Sequence, residues 1–191
     1  GELGGPDRAL AVACDVTEEA DNQRLARAGI ENFGGIDAVF ANAGFGAARG
    51  FLSGSVEQWR SMVLTNVLGV ALTIRATLPH LLERGTGHFL ITGSVAGRRA
   101  LPGSLYSATK WAVTAIAESL RQELRQMHEN RRIRVTLIEP GMTDTPFFDR
   151  RPDPETSLEA EDIARAAIYA LGQPEHVDVN EILIRPAAQA S

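Results

Sequence analysis

The chain of 191 residues has a single cysteine, Cys14, and a single lysine, Lys110, since 18 of its 19 basic residues are arginine. One cysteine excludes an intrachain disulfide and a cysteine metal cluster and suits a reducing cytoplasm, the expected location. Cys14 itself reads as a small buried hydrophobe. The chain also lacks a charge run. Its formal charge of −5 is spread along its length, which argues for solubility and against a nucleic-acid partner. The densest basic stretch, Arg131, Arg132 and Arg134, reads as a solvated helix end. The longest charge-free run in the apolar middle, Ser61 to Ile74, is shorter than the ~18 to 20 residues that span a bilayer. No signal-peptide pattern is read at the start, and no membrane partner is expected. Repeats, low-complexity stretches and linkers are missing as well.

What is present suits one compact domain: 44% hydrophobic and 23% charged residues, enough for a sizeable core. Strands alternate with helices. Residues 8–14 (RALAVAC) read as a short buried strand, and Thr17 as the cap of a helix to about Phe33, with Glu18 and Glu19 in its first turn. IDAVFAN, 36–42, is the next strand. Ser55 and Gln58 form a capping box opening a long helix whose apolar stripe is Trp59, Val63, Val67, Val70, Ile74, Leu78 and Leu81. Pro79 is expected to kink it or end its regular part. GHFLIT, 87–92, is a third strand, followed by a second long helix over 104–128 and a fourth strand, RIRVTLI, 132–138, stopping at Pro140-Gly141. A polar loop with three prolines, a helix over 159–170 and a strand over 181–184 complete the chain. Strands apolar on both faces and separated by helices imply a doubly wound parallel sheet, Rossmann-like, in a three-layer α/β/α sandwich.

Ligands of such sheets bind beyond the carboxyl ends of the strands. Here those positions are Asp15-Val16, Asn42-Ala43-Gly44, Gly93-Ser94 and Pro140-Gly141-Met142-Thr143. A turn after a strand calls for Gly, Asn, Asp or Pro in any case, but four such sets on one sheet edge are harder to explain singly. Tyr106 and Lys110 stand at i and i+4 of a helix, hence on one face. A tyrosine hydroxyl has a pKa near ~10, and a neighbouring cation favours its phenolate. With two tyrosines in the chain, chance would put the lone lysine four after one on the order of 1% of the time. An ammonium also fits beside a ribose as a compact charge with three rotatable donors. Ser94 adds a neutral hydroxyl for a carbonyl or alcohol oxygen. A surface contact between Tyr106 and Lys110 is the plainer alternative. Asn66 lies on the apolar stripe, where a buried amide needs partners. It is either a structural amide bonding nearby backbone or one lining a water path to the lysine.

At this point the chain resembles the short-chain dehydrogenases/reductases. The resemblance runs from Asp15-Val16 through ANAG (41–44), TNVLG (65–69), TGSVAG (92–97), YSATK (106–110) and EPGMTDT (139–145), in that order. It implies an NAD(P)-dependent oxidoreductase that interconverts a carbonyl and an alcohol. Tyr106 would be the acid/base, Lys110 would lower its pKa and bind the nicotinamide ribose, Ser94 would orient the substrate oxygen, and Asn66 would support a proton-relay water. Asp15 and Val16 would contact adenine, and Asn42, Ala43 and Gly44 would border the cofactor. Pro140 and Gly141 belong to the same carried-over motif, with the Thr143 backbone and Thr145 hydroxyl at the nicotinamide end.

Two departures stand out. Ser94 precedes Tyr106 by 12 residues, whereas the family more often has 13. The family's first βαβ unit, with its glycine-rich turn, has no counterpart over roughly 45 to 55 residues, so the sequence reads as a partial domain lacking that segment. A catalytically idle nucleotide-binding or oligomerising module is the alternative function. The loop from Met142 to Ser157, with Phe147 and Phe148, is expected to cover a small-molecule substrate or to pack into the core. The ending VNEILIRP, 179–186, is similar to members that act on small hydroxy acids or serine-like alcohols and prefer NADP. The two long helices form dimer faces in the family, which implies a homodimer or homotetramer.

Overall fold

A computed structural model describes residues 4–5, 7–147 and 151–189. Four strands, β1 (Ala38–Ala41), β2 (Gly87–Thr92), β3 (Ile133–Pro140) and β6 (Glu181–Ile184), form one parallel sheet in that order. Register is regular, with Phe89 beside Val39 and Val135, and Ile138 beside Thr92 and Ile182. A separate two-residue ladder, β4 (Thr143–Asp144) with β5 (Leu158–Glu159), ties the ends of the proline-containing loop together. No sequence pattern announced it, because two residues carry no period.

The helices are α1 (Glu19–Phe33), α2 (Val56–Val63), α3 (Val70–Arg84), α4 (Leu105–Gln126) and α5 (Ala160–Leu171). One core joins Val39, Phe89, Ile91, Val135 and Leu137 of the sheet to Val70, Ile74 and Leu81 of α3 and to Val113, Ala117, Leu120 and Leu124 of α4. On the opposite face Leu90 and Ile138 pack with Ala167 and Ile163 of α5. Burial on both faces is why the central strands read as unbroken apolar runs. It also gives the three-layer order that the alternation implies.

Several expectations need correction. Residues 8–14 form no strand. Among the described residues β1 pairs only with β2, so an apolar run there meets no ladder. Thr17 does not cap α1: its N–H and hydroxyl both donate to Asp15 Oδ1, at 2.9 and 2.8 Å, and the cap position is Glu18. Of the two effects expected of Pro79, the helix end does not occur, since the residue lies inside α3. It is on the exposed side, where water can serve the carbonyl four residues earlier that loses its partner. Finally, Val63 is exposed while Met62 and Asn66 are buried. A π-helical turn, Leu64–Gly69, joins α2 to α3, and its wider turn rotates everything before it relative to the stripe continued by Val70, Ile74, Leu78 and Leu81.

Ser55 does cap α2, accepting from the Gln58 N–H at 3.3 Å. By length and composition the joined helix Val56–Arg84 could cross a membrane, more than its charge-free run suggested. In this fold its Val70, Ile74, Leu78 and Leu81 pack on the sheet. Cys14 is half-buried rather than buried, and burial pushes its thiol pKa up.

Arg134 is buried, not solvated. From β3 its guanidinium donates to the carbonyls of Ala170, Leu171 and Gln173 at the end of α5, where a cation complements the helix dipole. His88 lies on the neighbouring strand, with Nε2 2.8 Å from the Thr136 hydroxyl and Nδ1 without a partner among the described residues. Burial, then the Arg134 charge, pushes the His88 pKa from 6.5 down to about 4. The unfolded chain therefore takes up a proton first as pH falls. The stability tied to neutral His88 is complete above 6.5 and is lost progressively toward 4, by up to about 3 kcal/mol. Urea unfolding at stepped pH should show that loss in the native protein and a flatter profile in His88→Gln. Parallel profiles would assign the acid sensitivity to other groups.

Candidate active site

Because the sheet is parallel, β1, β2 and β3 all end on one edge, and the turns that follow them meet there. Ser104 caps α4, accepting from the Ser107 N–H at 3.2 Å, and so starts the helix two residues before Tyr106. One turn later Lys110 lies against the end of β2. Its Nζ donates to the Thr92 carbonyl at 2.7 Å and stands 5.8 Å from the centre of the Tyr106 ring. Lys110 is only 4% exposed, and among the described residues no carboxylate pairs with it. Burial lowers its pKa from 10.5 to about 8, which still leaves an ammonium at neutral pH.

Ser94 follows β2 by two residues and is buried. Its Oγ accepts from the Ala96 N–H at 3.1 Å, capping a short 3-10 turn, Val95–Gly97. Burial raises the Tyr106 pKa against the opposing hydrogen bond with Ser94, so the shift is upward and not the lowering by Lys110 that the resemblance implies. Tyr106 is thus a neutral phenol at neutral pH, a proton donor in waiting. Phe147 lies beside it, with ring centres 5.7 Å apart and planes tilted by 58°. Phe148 lies outside the described residues.

Asn66 bonds backbone, one of its two predicted alternatives. Its Nδ2 donates to the Phe45 carbonyl (2.9 Å) and the Thr109 hydroxyl (3.1 Å), and its Oδ1 accepts from the Phe45 N–H (3.0 Å). The loop after β1 is thereby held against α4. Gly44 fits because it has no side chain: a Cβ there would lie 3.1 Å from Asn66 Oδ1 and 3.8 Å from Lys110 Nζ. Asn42 Oδ1 accepts from the Thr92 hydroxyl at 2.7 Å. Asn42, Ala43 and Gly44 are all exposed at the strand end.

The Asp15-Val16 pair stands at the N-terminal end of α1, anchored by a residue the sequence reading missed. Buried Asn22 donates to the Val16 carbonyl at 2.9 Å and accepts from the Thr73 hydroxyl at 2.9 Å. A polar residue on the inner side of an amphipathic helix was the available signal, as it was for Asn66. Thr92 and Thr109 were also missed as anchors. Pro140 ends β3, the Gly141 N–H donates to the Ile184 carbonyl at 2.7 Å, and the Thr143 hydroxyl donates to the Gly141 carbonyl at 3.1 Å. Thr145 Oγ1 accepts from the Phe147 N–H. The fold therefore brings Ser94, Tyr106, Lys110, Asn66 and the Asn42–Gly44 loop together, with the Pro140–Thr145 turn on the same sheet edge.

Known proteins are similar to this chain in sequence and fold. Residues 2–156 fit the family model described as short chain dehydrogenase. An uncharacterized oxidoreductase of Staphylococcus epidermidis is 40% identical over 180 residues, covering 93% of this chain and 76% of that protein. Among solved structures, an alcohol dehydrogenase from the archaeon Thermococcus sibiricus complexed with 5-hydroxy-NADP superposes with a TM-score of 0.83 at 31% identity, over 93% of this chain and 74% of that one. The 3-ketoacyl-(acyl-carrier-protein) reductase from Brucella melitensis complexed with NADH does so with a TM-score of 0.83 at 28% identity, over 95% and 79%. With a parallel-sheet fold, a sequence match over most of its length and these relatives, the chain belongs to the short-chain dehydrogenase/reductase family of NAD(P)-dependent oxidoreductases.

Proposed function

We propose that this oxidoreductase interconverts a carbonyl and an alcohol where β2 meets α4, with Tyr106 as acid/base. The carrying observation is a buried ammonium, Lys110, that has no carboxylate partner among the described residues and stands on the Tyr106 ring face. An ion so costly to bury needs a compensating use. In the reductive direction the neutral Tyr106 phenol donates its proton to the carbonyl oxygen. The Ser94 hydroxyl aligns that oxygen by hydrogen bonding, and Lys110 favours the phenolate left behind.

The nicotinamide cofactor, when bound, supplies the hydride. Beyond its bond to Thr92, the Lys110 ammonium has two further donors for the ribose hydroxyls of that cofactor. The bare backbone of Gly44 leaves room alongside, so the residues present fit the group. Asp15 and Val16 take the adenine end, Asn42, Ala43 and Gly44 border the middle, and Pro140, Gly141, Thr143 and Thr145 line the nicotinamide end. Asn66 supports the proton-relay water at one remove, by holding Phe45 and Thr109 around Lys110. Phe147 beside Tyr106 supports a substrate with an apolar substituent next to its carbonyl. The finer reading that NADP is preferred rests on the 179–186 ending. A homodimer or homotetramer is supported by exposed Val63, Leu64, Leu68 and Trp111 on the two long helices.

The test is NADPH and NADH consumption by the protein against aliphatic and aromatic carbonyls. Stoichiometric alcohol formation with at least one of them, at lower KM for NADPH, is expected. A folded protein that turns over none with either cofactor would overturn the reading.

A further inference from the structure

Among the described residues one carboxylate is buried, and no proton-transfer role uses it. Glu139, the penultimate residue of β3, is 1% exposed, and burial raises its carboxyl pKa against the opposing pull of Arg98. Arg98 Nε donates to Glu139 Oε1 at 2.6 Å, and the same guanidinium pairs with Glu181 on β6. Arg98 itself is partly exposed, so only the carboxylate bears the full cost of burial; replacing such a pair by apolar groups is often neutral for stability, and its presence is better explained by orientation than by stabilisation. What it orients follows from Arg98's place in the chain. Arg98 closes the 3-10 turn that Ser94 opens: the Gly97 N–H donates to the Ser94 carbonyl at 2.8 Å and the Arg98 N–H to the Val95 carbonyl at 3.0 Å. On its other side the turn rests on α4 at the lysine itself, since a Cβ on Gly97 would stand 2.7 Å from the Lys110 carbonyl oxygen. The strand end is tied down too, with the Gly93 N–H donating to the Ile138 carbonyl at 2.7 Å.

We propose that Arg98 and Glu139 are positioning residues: the pair clamps the Val95–Gly97 turn between β3 and α4 and so fixes the Ser94 hydroxyl relative to Tyr106. The proposal rests on the carbonyl-reductase reading above. Small misplacements of an aligning group cost up to about 100-fold in rate, so loosening the clamp should lower kcat and leave cofactor binding alone.

The experiment is a double-mutant cycle of Glu139→Gln with Ser94→Ala, with Arg98→Lys and Arg98→Met/Glu139→Leu beside it. Glu139→Gln is expected to lower kcat about 10-fold or more with the cofactor KM changed less than about twofold, and to cost nothing further once Ser94 is alanine. Arg98→Lys should keep most of the activity. The apolar pair should unfold near the native midpoint yet share the kcat defect, which separates positioning from stability. An unchanged kcat in Glu139→Gln, or equal losses with and without Ser94, would overturn the clamp while leaving the reductase reading intact. A native protein inactive on every carbonyl would overturn both.

Discussion

Tyr106→Phe should lower kcat for carbonyl reduction by about 10³-fold, close to 4 kcal/mol of transition-state stabilisation, with the cofactor KM nearly unchanged. The substitution removes one hydroxyl and keeps the ring that lies beside Phe147, so packing and fold should survive. The remaining groups cannot take over its role. Ser94 is a neutral hydroxyl that holds its proton too tightly to donate efficiently, and the Lys110 ammonium is engaged by the Thr92 carbonyl and, in the proposed complex, by the ribose hydroxyls. Stopped-flow or steady-state loss of NAD(P)H absorbance measures the effect, and equal rates in the native and variant proteins would exclude Tyr106 as the acid. Because burial raises the phenol pKa, the native protein should favour reduction at neutral pH, and alcohol oxidation should speed up as pH rises and more phenolate forms.

Lys110→Met should separate activity from stability. A folded-state pKa of about 8 against an ordinary 10.5 means that burial penalises the ammonium on the order of 3 kcal/mol. The sign follows from proton uptake: between 8 and 10.5 the unfolded chain binds the proton and the folded one does not. Native stability therefore rises with pH through that window and carries the full penalty below 8. Methionine fills similar volume without charge, so the variant should unfold at or above the native temperature at pH 7 and lack that rise. Its turnover should nevertheless fall by roughly 10²- to 10³-fold, since a preorganised cation beside developing negative charge is worth that much. The native cofactor KM should be flat below pH 8 and climb above it, an inflection absent from Lys110→Met. A variant that is both less stable and fully active would mean that Lys110 is only a core residue.

Several of these features were readable before any fold was in hand. The strands 87–92 and 181–184 are where their apolar runs place them, because a strand buried on both faces needs no partner pattern to be recognised. Ser55 announces its helix through a side chain that bonds backbone three residues on. The pairing of Tyr106 with Lys110 follows from helical spacing alone. Non-local effects were opaque. Residues 8–14 have strand composition, but a strand exists only where a neighbour completes its ladder. Val63 falls on the expected stripe by simple periodicity, yet the π turn at Leu64–Gly69 turns it outward and Met62 inward. Arg134 looks like surface charge until the end of α5 arrives above it.

The sequence by itself determined the parallel α/β order, the chemistry available at the strand ends and the shared face of Tyr106 and Lys110. Each follows from local rules: period, capping and spacing. Only the tertiary structure decided how deeply Lys110 is buried, what Asn66 holds, and that Glu139 meets Arg98 across the turn bearing Ser94. Those outcomes depend on residues 18 to 43 positions apart in sequence, brought together by packing that no local window contains. The acid–base properties follow the same division. Residue type sets the ordinary pKa values, and burial in the assembled site moves the tyrosine up and the lysine down.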